Sequence, residues 1–117
     1  MPERRKQERF TPDDDVYIYS SSVSVAFVGK IIDISRTGIS FSYVMDFSPP
    51  EDMNELGVLV PNVGIALKTL PFETISDEII EGHRGSTVIK RRRSGIFHDL
   101  TQDQESELER FIEDLDK

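Results

Sequence analysis

Asp33-Ile34-Ser35-Arg36-Thr37-Gly38 follows an apolar run ending in Ile31-Ile32 and precedes the alternating Ile39-Ser40-Phe41-Ser42-Tyr43. The pattern is strand, tight turn, strand. Asp33 and Ser35 carry short polar side chains that bond nearby backbone groups, and Gly38 tolerates a positive φ without a Cβ clash. Taken alone, this is the composition of an ordinary hairpin loop. It is equally the composition of a turn that lets a ligand come close to the backbone.

Working outward, the N-terminal run Arg4-Arg5-Lys6-Gln7-Glu8-Arg9-Phe10 sets Arg5 and Arg9 four apart, ahead of the first strand. Such a pair in a charged tail is by itself a solvated arm. In this order, Arg-x-x-x-Arg first and Asp-x-Ser-x-x-Gly between two later strands, the two motifs resemble the PilZ domain, the family that binds cyclic di-GMP. Both halves of the pattern are intact. The similarity extends to Gly95-Ile96-Phe97-His98-Asp99-Leu100-Thr101 and a helix after it, whereas the middle, from about Phe47 to Gly64, carries no recognisable motif.

The resemblance implies a six-stranded antiparallel PilZ-type β-barrel with a C-terminal helix, and the residues themselves offer no catalytic motif, so no enzyme is expected. It assigns ligand contacts to Arg4, Arg5, Arg9, Asp33, Ser35 and Gly38. The ligand would be cyclic di-GMP, as one molecule or as an intercalated pair; a third arginine at the Arg4 position tends to accompany the pair in similar proteins. The arm would clamp the dinucleotide against the turn and, once ordered, address a partner protein. Two alternatives remain open: a PilZ-fold adaptor independent of nucleotide, and a small barrel binding single-stranded nucleic acid.

The 117 residues suit one domain: a basic arm over 1–12, and a barrel over 13–117 with its helix at about 102–116. The absence of cysteine excludes disulfides and thiolate metal sites, and no apolar run is long enough to span a membrane, so a cytoplasmic location is expected. A net charge of -8 disfavours non-specific nucleic-acid binding. The distribution is uneven: residues 1–9 carry four cations against two acids, whereas residues 103–117 carry two against seven.

Along the chain, Val16-Tyr17-Ile18-Tyr19 has strand composition and Ser20-Ser21-Ser22 reads as its turn. Val23, Val25 and Phe27 alternate, then the apolar parity slips after Gly29, which predicts a bulge there. Ile39 to Tyr43 predicts a half-buried strand ending near Asp46. Pro49-Pro50 cannot continue a ladder, and Asp52 to Leu56 is read as a short helical turn. Pro61 to Gly64 is a turn opening a strand over 65–70, and a separate strand is expected over Phe72 to Ile80. Gly82 to Ser86 turns the chain back towards Gly95 to Leu100. Leu108, Phe111, Ile112 and Leu115 form one stripe of an amphipathic helix, with Thr101 and Gln104 at the spacing of a capping box.

A guanidinium is a planar fork suited to a phosphate or to the O6/N7 edge of guanine, and a carboxylate at Asp33 suits guanine N–H donors. Arg36 lies at a position that the family leaves free. His83 and His98 lack partners at metal-ligand spacing, neither Asp77-Glu78 nor Asp13-Asp14-Asp15 makes a catalytic pair, and no phosphate loop or nucleophile elbow is present. Lys90-Arg91-Arg92-Arg93 reads as a solvated hairpin edge outside the site.

Overall fold

In strict alternation, Ile39, Phe41 and Tyr43 point one way and Ser40 and Ser42 the other. The computed structural model describes residues 9–12, 15–20, 27–44, 53–61, 63–82 and 89–115. In it this strand is β3 (Gly38–Val44), preceded by β1 (Tyr17–Ser20) and β2 (Phe27–Ile34) and followed by β4 (Glu55–Val60), β5 (Gly64–Glu81), β6 (Lys90–Phe97) and α1 (Gln102–Leu115). The strands close in the order β1-β2-β3-β6-β5-β4, every pairing antiparallel.

The core holds Ile18, Ile31, Ile34, Ile39 and Phe41 from β1 to β3, with Leu56, Val58, Leu67, Leu70 and Phe72 from β4 and β5. The helix adds Leu108, Phe111 and Ile112, all buried, and Leu115 packs at the edge. Each such side chain contributes about 1.5–3 kcal/mol by leaving water. The capping box forms in both directions: Gln104 N donates to Thr101 Oγ1 at 3.1 Å, and Thr101 N donates to Gln104 Oε1 at 2.8 Å. The amide of Gln104 also donates to Thr69 O at 3.0 Å, tying the helix start to β5.

The slip in β2 falls between Ile31 and Asp33, not at Gly29. Gly29 is needed instead because a Cβ there would lie 2.9 Å from the Phe41 ring and 2.9 Å from Ser42 O. Residues Gly38 to Tyr43 are all buried, so β3 is covered on both faces, and it ends at Val44. The expected helical turn over Asp52 to Leu56 gives way to β4, whose Leu56 and Val58 fill the core. The two strands expected over 65–70 and 72–80 are one strand, β5, which pairs with β4 up to Pro71 and with β6 from Phe72 onward. The proline therefore falls where the strand changes partners rather than where it ends. Lys90 to Arg93 is no edge, since β6 runs between β3 and β5. The turns read at Ser21-Ser22 and at 83–86, and the alternation at Val23 and Val25, lie outside the described residues.

Candidate functional site

The bulge in β2 positions the site. Ile31 pairs with Phe41 and Ile34 with Ile39, both inward, and the extra residue Ile32 turns Asp33 to the outer face opposite Ser40. Without it, Asp33 would share the parity of Ile31 and face the core.

Ser35 builds the turn that follows. Its backbone N donates to Gly38 O at 2.8 Å, and its Oγ accepts from Gly38 N at 3.1 Å and Thr37 N at 3.2 Å. The residue is fully buried. Gly38 is required by close packing: a Cβ there would stand 2.4 Å from Gly95 O on β6. Its φ is not in the positive range, in contrast with Gly64 at 108° and Gly82 at 94°, so the expected role in a left-handed turn is replaced by backbone approach.

The N-terminal segment reaches this turn. Phe10 and Ile34 exchange backbone hydrogen bonds of 2.8 and 3.0 Å, and Phe10 packs against the core. Its neighbour Arg9 then donates from Nε to Asp33 Oδ1 at 2.6 Å, and Nη1 lies 3.5 Å from Ser35 Oγ. The structure thus brings together Arg9, Asp33 and Ser35 with Gly38 beneath them, whereas Arg4 and Arg5 lie outside the described residues. Within the arm read over residues 1–12, Arg9 and Phe10 are thus in contact with β2 and the turn after it, through an isolated bridge outside the six strands.

The sequence sets Arg92 outside the site, as part of a solvated edge whose loss leaves binding nearly unchanged, yet its Nη2 stands 3.7 Å from Asp33 Oδ2 and 3.5 Å from Ser40 Oγ. Asp33 therefore faces two guanidiniums. No local motif signals this, because the β3–β6 register, pairing Ser42 with Arg92, decides it.

The remaining arginines of the run serve a different centre. Arg91 Nε donates to Asp77 Oδ1 at 2.5 Å, Arg93 Nε donates to Asp77 Oδ2 at 2.8 Å, and Tyr43 OH donates to the same carboxylate. Burial pushes the Asp77 carboxyl up, but the bonds from Tyr43, Arg91 and Arg93 outweigh it and hold it below the usual value. Burial, followed by the hydrogen bond to Asp77 and then that residue's charge, pushes the Tyr43 phenol up. Arg93 also lies over the Tyr43 ring, 5.8 Å from its centroid. This cluster knits β3, β5 and β6 together.

A cavity of about 400 Å³ is bordered by Arg36 and Thr37 of the turn, by Phe97 to Leu100, and by Glu105, Leu108 and Glu109 of α1. Neither Arg9 nor Asp33 lines it. Arg36 Nη1 is 3.6 Å from Glu109 Oε1. Among the described residues no group of three or more acids or histidines is placed to hold a metal ion, and no helix is long and apolar enough to cross a membrane.

Comparison with solved structures shows the same fold. The PilZ domain with c-di-GMP of YcgR from Escherichia coli superposes with a TM-score of 0.65 at 16% identity, covering 93% of this chain and 88% of that one. Two longer proteins match over about half their length. YcgR from Escherichia coli in complex with c-di-GMP gives a TM-score of 0.66 at 16% identity, covering 93% of this chain and 44% of that one. K. pneumonia MrkH in its apo state gives 0.68 at 14% identity, covering 93% of this chain and 50% of that one. Comparison with curated protein sequences gives no match. The family model described as PilZ domain matches residues 3–114, and the chain belongs to the PilZ domain family.

Proposed function

We propose that the chain is a cyclic di-GMP receptor. The reading rests on the meeting of Arg9 with Asp33 at 2.6 Å and with Ser35 at 3.5 Å, which joins two motifs separated by 24 and 26 residues at one corner of the barrel. The ligand carries two phosphodiester charges and two guanines. Arg5 and Arg9 supply guanidinium forks for a phosphate or a guanine O6/N7 edge, and Asp33 accepts from guanine N–H groups. Ser35 and Gly38 hold the turn in shape and keep its backbone low. The family membership and the YcgR structures with c-di-GMP support the choice of ligand.

Arg4 stands directly before the motif and brings the further positive charge that two stacked, intercalated molecules need to offset their mutual repulsion. The signal then passes through the arm, drawn against the bound dinucleotide, to a partner protein.

Isothermal titration calorimetry tests this reading. Arg5→Ala or Arg9→Ala weakens binding by about 10- to 100-fold, the cost of one charge-assisted hydrogen bond. The parent takes two nucleotides per chain and Arg4→Leu takes one with binding retained. A parent that binds no cyclic di-GMP overturns the receptor reading and leaves the nucleotide-independent adaptor. One nucleotide on the parent overturns the paired stoichiometry alone.

A further inference from the structure

Beside Asp33, the outer face of β3 and β6 carries three small hydroxyls and Arg92, flanked by Ile96 at one end and by Val44 and Lys90 at the other. Ser40 pairs across the strands with Ser94, and Ser42 with Arg92. The hydroxyls of Ser40 and Ser94 are 2.7 Å apart. Ser40 and Ser42 are 2% and 8% exposed. A serine raises a single oxygen above the sheet, so this strip is a shallow polar floor. Arg92 lies over it, with its side chain 39% exposed and Nη2 close to both Ser40 Oγ and Asp33 Oδ2.

Charge gives the strip a ligand preference. Arg9 already holds Asp33 at 2.6 Å, in good hydrogen-bond geometry, whereas Arg92 stands off at 3.7 Å. Asp33 lies between two guanidiniums, of which Arg92 is the less committed; on its other side Arg92 stands in register with Glu78 of β5. The two phosphodiesters of a cyclic dinucleotide lie on opposite sides of its macrocycle.

We propose that Arg92, above the floor of Ser40, Ser42 and Ser94, is a second anion subsite that takes a phosphodiester of the dinucleotide on the sheet side of Asp33. The assignment rests on the cyclic di-GMP reading for its natural ligand and stands on this geometry for its chemistry. The planar fork suits it to grip two phosphate oxygens at once, which a lysine ammonium does not.

The intact chain is titrated with cyclic di-GMP by calorimetry and with inorganic pyrophosphate by amide NMR. Arg92→Ala lowers the cyclic di-GMP affinity by about 10- to 100-fold, and Arg92→Lys falls between it and the parent. Lys90→Ala, which removes a charge from the same face of the same strand, changes it by no more than about 2-fold. Pyrophosphate shifts the amides of Ser42, Arg92 and Ser94 saturably in the parent and not in Arg92→Ala, and this holds even if cyclic di-GMP itself fails to bind. Unchanged amide dispersion in the variants excludes loss of fold as the cause. Equal losses in Lys90→Ala and Arg92→Ala, or parent affinity in Arg92→Ala without a saturable pyrophosphate shift, overturn the subsite.

Discussion

Asp33 and Ser35 stand two apart in the sequence and do different work. Ser35 is fully buried and serves two backbone N–H groups, so Ser35→Ala leaves both without an acceptor and costs about 1–3 kcal/mol of stability, read from urea unfolding. Asp33 lies on the outer face in a partly exposed ion pair, so Asp33→Asn costs no more than about 1 kcal/mol in the same assay. Asp77 is the residue whose charge the fold requires. Its lowered carboxyl contributes stability that is complete above the unfolded value of 3.8 and is lost as the pH falls through the lower folded value. Asp77→Asn therefore destabilises the chain at neutral pH by about 2–3 kcal/mol. Its stability also falls less steeply than the parent's below pH about 4 in an acid titration followed by circular dichroism. An unchanged acid limb would assign the titration to other carboxylates.

Among the elements, α1 was the most legible. Its apolar spacing and the Thr101–Gln104 pair are local signals, and the structure uses both. The sequence could not announce the second bond from Gln104, to Thr69 O, because it depends on where β5 runs beneath the helix. Gln104→Glu separates the two roles: the carboxylate still accepts from Thr101 N but donates nothing to Thr69 O, where φ is 34°. The expected loss is about 0.5–1.5 kcal/mol, measured by thermal unfolding; Gln104→Glu as stable as the parent would mean the strand contact contributes nothing. The β5 strand misled for a physical reason. Pro71 lacks an N–H and Thr69 is irregular, which locally resembles a strand end, yet pairing passes from β4 to β6 at that point and the strand continues. The motif corner was legible because Asp33, Ser35 and Gly38 lie within one turn and Arg9 within a recognisable spacing. Arg92 and the Asp77 cluster were not, because strand register over long sequence separations decides their neighbours.

Across the molecule, a net charge of -8 surrounds a corner where two guanidiniums meet one carboxylate. Which of the two governs an anionic ligand depends on the screening length against a Cα radius of gyration of 14.3 Å. At an ionic strength of about 0.01 M the length is about 30 Å and the ligand feels the whole acidic chain; at about 0.1 M it is about 10 Å and the corner prevails; near 1 M it is about 3 Å and the corner too is screened. Cyclic di-GMP affinity therefore passes through a maximum near 0.1 M in calorimetric titrations across that range. Affinity still rising at 1 M would mean that net repulsion, not the corner, sets binding.

The most direct measurement is an amide NMR titration of the parent chain with cyclic di-GMP. Binding at the corner moves the amides of Asp33, Ser35, Thr37, Gly38 and Ser40 saturably and leaves Ile18, Leu56 and Val58, on the β1–β4 side of the barrel, in place. Saturable shifts centred on β1 and β4 instead, or no saturable shift at all, would contradict the assignment of the ligand to the Arg9–Asp33–Ser35 corner.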